Sequence, residues 1–168
     1  MMLSCLKTRQ LIFNKNKGDG KVSLKETLAN DLKCAMKEKD VIRKNTVQMV
    51  RSAILQYEKD NLKELDDDGV LDIIAKELKK RRDVLPEYEK SNREDLIDGI
   101  KREIEILLSY LPKQLTEEEL EEIVKEAVSK TNASSLKDMG KIMQEVMPKV
   151  KGRADGKMIN EIAKRLLS

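Results

Sequence analysis

A chain of 168 residues that is 39% hydrophobic and 39% charged can bury the core of one domain or of two small ones, and one Phe, three Tyr and no Trp set it far from β-sandwich composition. Histidine is absent, which removes the commonest general base and metal ligand and excludes triads and His-based metal sites. The net charge of +3 is uneven: the N-terminal segment to Lys21 and the C-terminal segment from Leu136 are basic, and the middle is acidic.

Residues 1–21 lack helical periodicity, and Asn14 to Gly20 is a polar, glycine-containing stretch. Two readings stand for them. They are a disordered basic leader, or they are an annotation artefact, because Lys17-Gly18-Asp19 can be encoded as a purine-rich ribosome-binding sequence and Val22 as a GTG start codon. No apolar run approaches the roughly 20 residues of a membrane span, and Lys7 and Arg9 interrupt the only candidate for a signal segment. With Cys5 and Cys34 too few for a zinc site or a disulfide framework, both read as reduced thiols, and the expected location is cytoplasmic.

From Ser23 the pattern is helical. Ser23 and Glu26 are spaced as a capping box ahead of Leu24, Leu28, Leu32, Ala35 and Met36. Asp40 caps a second helix with Val47, Val50, Ile54 and Tyr57 on one stripe. After a polar break at 61–68, Leu71, Ile74, Leu78 and Leu85 define a third helix that Pro86 should end or kink. Ser91, with Glu94 three residues on, caps a fourth that carries Ile97, Ile100, Ile104, Leu107 and Leu108 and stops at Pro112. Thr116 and Glu119 box the fifth, Ser135 caps a sixth ended by Pro148, and Asp155 caps a seventh with Met158, Ile159, Ile162, Ala163 and Leu166. The expected fold is all-α: an elongated N-terminal hairpin or bundle of about four helices over 22–112, then a compact three-helix module over 113–168.

The candidate site lies between the last two helices. Lys149, Lys151, Gly152 and Arg153 form a cationic glycine turn, with Lys141 before it and Lys157 after it. Gly140, Pro148, Asp155 and Gly156 are assigned structural roles as loop and cap residues. Such a turn suits the phosphates of a nucleic-acid backbone. The competing interpretation is an ordinary solvated surface, and Asp155 favours it by occupying the place an anion would take at the start of the seventh helix. Lys76, Lys79, Lys80, Arg81 and Arg82 form a second cluster, best read as a salt-bridged helix face. The four-residue spacing of Met139, Met143 and Met147 reads as core. Cys34 has no histidine to activate it, and no triphosphate loop is present, so no catalytic residue, cofactor or metal is assigned.

Ser23-Leu24, Tyr110-Leu111-Pro112 with Gln114-Leu115, Met139-Gly140-Lys141, and Met147-Pro148 through Gly156 together resemble the YqeY family from Val22 to Ser168. The C-terminal module of that family is similar to the tail domain of the B subunit of the tRNA-dependent amidotransferase, where the tail is thought to hold tRNA while kinase and amide-transfer chemistry belong to other domains. The resemblance marks Gly140, Lys141, Lys151, Gly152, Asp155 and Gly156 as the shared motif and makes none of them catalytic. It implies tRNA or another structured RNA as partner, with amidotransferase or aminoacyl-tRNA synthetase machinery as the setting; the residues themselves give no membrane or metal partner. A helical protein-interaction adaptor is the alternative.

Overall fold

The computed structural model describes residues 22–90 and 93–167. Among them every regular element is helical, in the order α1 (Leu24–Glu38), α2 (Val41–Asn61), α3 (Asp67–Lys90), α4 (Glu94–Leu108), α5 (Glu117–Thr131), a 3-10 turn (Leu136–Asp138), α6 (Met139–Val146) and α7 (Gly156–Leu167). The chain divides into two compact units, Met1–Val70 and Leu71–Ser168. Among the described residues no helix is long and apolar enough to cross a membrane.

In the first unit α1 starts with the expected box. Ser23 Oγ accepts from the Glu26 amide and Glu26 returns the bond to the Ser23 amide, satisfying two N–H groups that the helix cannot. It stops at Lys39, whose left-handed φ of 57° turns the chain into the Asp40 cap of α2. So tight a turn makes α1 and α2 antiparallel, and the ion pairs Arg43–Asp31 at 3.4 Å and Lys25–Glu58 cross between them. Leu28 and Ala35 of α1 are buried, as are Val47, Val50 and Ile54 of α2. Burial of such side chains contributes on the order of 1.5–3 kcal/mol each before ordering costs. Met36 and Tyr57, assigned to the same stripes, lie at the exposed edge instead.

In the second unit, α5, α6 and α7 enclose their own core of Leu120, Val124, Ala127, Ile142, Val146, Val150, Ile159, Ile162 and Ala163. Alpha5 opens with the second capping box: Thr116 Oγ1 accepts from the Glu119 amide at 3.2 Å, and Glu119 Oε2 accepts from the Thr116 amide at 2.9 Å. Replacing Thr116 by alanine should therefore lower stability by about 1 kcal/mol. A shifted denaturant midpoint at unchanged slope is the measure, and an unmoved midpoint would show that the box contributes nothing.

Four further expectations change. Alpha3 does not end at Pro86 but continues to Lys90. The proline is exposed and stands inside the helix, just over one turn from its end, and its missing N–H leaves the Arg82 carbonyl without its helical partner. Ser135 does not cap α6: its hydroxyl donates to Asp138 Oδ2 at 3.2 Å, and a 3-10 turn precedes the helix at Met139. Met147 is exposed, whereas Met139 and Met143 pack on the core. Met158 also faces outward. The proposed Ser91 cap and the readings of residues 1–21 fall outside the described residues.

Candidate nucleic-acid interface

The turn after α6 is held from inside by Val150, which is only 1% exposed and belongs to the core of the three C-terminal helices. Its amide donates to the Val146 carbonyl at 3.2 Å, and its own carbonyl accepts from the Arg153 and Ala154 amides at 2.8 and 3.2 Å. Gly152 follows at φ +68°, a left-handed conformation that costs an L side chain about 1–2 kcal/mol. A Cβ there would meet Leu111 Cδ2 and Pro112 Cδ, each at 3.5 Å. This is the one expected glycine role that the backbone requires. Gly140 and Gly156 lie in the first turns of α6 and α7 with open space where a Cβ would stand, so neither relieves crowding. Pro148 lies just beyond the last residue of α6.

The turn is clasped to the segment that leads into α5. The Leu115 amide donates to the Arg153 carbonyl at 2.9 Å, Gln114 Nε2 donates to the Gly152 carbonyl at 2.7 Å, and Arg153 Nε donates to the Lys113 carbonyl at 3.2 Å. Gln114 also reaches the Pro112 carbonyl at 3.3 Å, so one amide bridges the two strands of the clasp. Asp155 then caps α7 by accepting from the Lys157 amide at 2.9 Å. Its carboxylate occupies the place an anion would take there.

The structure therefore brings Lys149, Lys151, Gly152, Arg153, Asp155 and Lys157 onto one continuous turn, but it sorts their charges. Lys149 lies 3.3 Å from Glu126 and 3.4 Å from Glu145, with Lys130 completing the cluster. Hydrogen bonds from Lys130 and then Lys149 hold the Glu126 carboxyl below its usual range, and Glu126 in turn raises Lys130. Lys141 pairs with Asp138 at 2.9 Å, and that bond, followed by the Ser134 amide, lowers the Asp138 pKa. Lys151 reaches Asp72 of α3 at 3.0 Å. In the second cationic cluster Lys80 and Arg81 are tied down: buried Glu77 accepts from each at 2.7 Å, and Arg81 reaches Glu103 at 3.1 Å.

Lys113 escaped the sequence reading, and Gln114 entered it only among the residues of the family resemblance, with no role at the turn. Gln114 and Lys113 meet the turn across 38 and 40 residues of chain, a separation that no local pattern encodes. Among the described residues no group of His, Cys, Asp or Glu could hold a metal ion. Cys34 forms no disulfide among the described residues and is half-buried.

A family profile described as Yqey-like protein matches residues 25–167. Three fungal proteins, each named altered inheritance of mitochondria protein 41, mitochondrial, are similar in sequence. That of Kluyveromyces lactis is 41% identical over 93 residues, covering 55% of this chain and 48% of the relative. That of Lachancea thermotolerans is 40% identical over 85 residues, covering 50% and 46%. That of Pyrenophora tritici-repentis is 29% identical over 129 residues, covering 76% and 71%. The chain thus spans about half the length of the first two. These names overturn the expectation of a cytoplasmic protein. That expectation rested on reduced cysteines and a missing signal segment, and neither distinguishes one reducing compartment from another.

Proposed function

Because this chain belongs to the YqeY family, we propose that it binds tRNA or another structured RNA through the C-terminal turn, as an accessory to aminoacyl-tRNA amidation. The observation that carries the reading is the clasped turn itself, which presents lysine and arginine side chains from a backbone fixed by Val150, Gln114 and Leu115. A cationic surface held by its own core loses little freedom when it meets a phosphate chain. With one Phe and three Tyr in the whole sequence, recognition rests on phosphate and shape more than on base stacking. Glutamine-dependent amide transfer belongs, on this reading, to a separate amidotransferase, and aminoacyl-tRNA synthetase machinery is the other natural neighbour.

A helical adaptor is the second reading, favoured by the exposed Met36, Val41, Ile42, Leu55 and Leu62 of the first unit. Titrating the full chain with unfractionated tRNA at rising salt separates the two. Phosphate contacts predict binding whose log affinity falls linearly with log salt, by about 0.7–0.9 per phosphate neutralised. Failure to bind at low salt would eliminate the RNA reading and leave the adaptor.

A further inference from the structure

Resting on that RNA reading, we infer that the phosphate-contacting groups are Lys113, Arg153 and Lys157, and that Lys141 and Lys149 serve the fold. The distinction follows from where counter-charges already lie. Lys149 stands between Glu126 and Glu145, so a phosphate approaching it must first break those ion pairs and then face two released carboxylates. Lys141 faces the same obstacle from Asp138. A cation that is neutralised in the free protein releases few counterions from RNA, because its net field at the phosphate is small.

Lys113 and Lys157 differ. Both are exposed, and among the described residues neither side chain has a carboxylate within ion-pairing distance. Arg153 joins them: its Nε is spent on the Lys113 carbonyl, which aims the guanidinium, while its two terminal nitrogens form no bond among the described residues. A planar guanidinium fixed at one edge and open at the other suits two oxygens of one phosphate. The clasp makes Lys113 a neighbour of Arg153 although 40 residues separate them, and Lys157 follows Arg153 by one short turn. Asp155 is the one acid within that turn, and its carboxylate is engaged with the Lys157 amide. Positive charge therefore remains in excess at this point of the surface.

The test measures salt slopes of unfractionated tRNA binding for the full chain and for two double variants, K113A/K157A and K141A/K149A, with circular dichroism confirming that each is helical. All four side chains are exposed, so folding should survive. The expected result is that K113A/K157A lowers the slope by about 1.4–1.8, while K141A/K149A leaves it within about 0.5 of the parent. Equal losses in both variants, or loss confined to K141A/K149A, would overturn the assignment while leaving RNA binding intact. An unchanged slope in K113A/K157A would overturn it too. Absence of binding by the parent chain would instead defeat the reading on which the assignment rests.

Discussion

Leu120→Ala should release the C-terminal core while leaving the first unit folded. Leu120 is 1% exposed and lies in α5 among Val124, Ile142, Ile159 and Ile162. Truncating a buried leucine removes transfer free energy and leaves a cavity that the packed helices cannot fully collapse, a loss of about 2–5 kcal/mol. Folded domains hold only about 5–15 kcal/mol in total, so such a loss takes a large share. Hydrogen exchange reads it by region. Protection in α5, α6 and α7 should fall roughly 30- to 4,000-fold, the equivalent of that loss, while α1 and α2, whose core is Leu28, Ala35, Val47, Val50 and Ile54, keep theirs. Equal loss in α1 and α2 would show that the two units unfold as one.

Gly152→Ala is the second expectation, with a loss of about 1–2 kcal/mol. The cause is conformation rather than space, since the added methyl would meet Leu111 and Pro112 at an ordinary 3.5 Å. Alanine can take φ +68° only under strain, or it can relax the turn and surrender the Gln114 and Arg153 hydrogen bonds. The matched control is Gly140→Ala, which sits in a helix with open space around the new Cβ and should be neutral or slightly stabilising. Thermal melts of the two variants decide it. If Gly140→Ala lost as much as Gly152→Ala, backbone strain at the turn would not be the cause.

Local chemistry made the helices readable. Ser23, Asp40, Thr116 and Asp155 announce starts because a short polar side chain satisfies an orphan amide wherever the helix goes, and all four accept the expected bonds. Stops were harder to see. Lys39, Leu62 and Asn132 end their helices in the left-handed region without a glycine to signal it. Pro86 gave a stop signal that the helix passes through, continuing to Lys90. At the turn, Val150 through Lys157 were legible as a cationic loop, yet the partners that sort their charge come from elsewhere: Glu126 of α5, Asp72 of α3 and the carbonyl of Lys113. Tertiary pairing of that kind leaves no period in the sequence.

The clasp also carries a consequence for when this protein becomes competent. Its two halves are about 40 residues apart, so closing it must await a long loop whose entropy is repaid only once α5, α6 and α7 have condensed. Lys113 leaves the ribosome well before Arg153, and until the clasp closes the two charges wander independently on the nascent chain. The cationic surface is thus a late product of folding, and a chain whose clasp is still open does not display it.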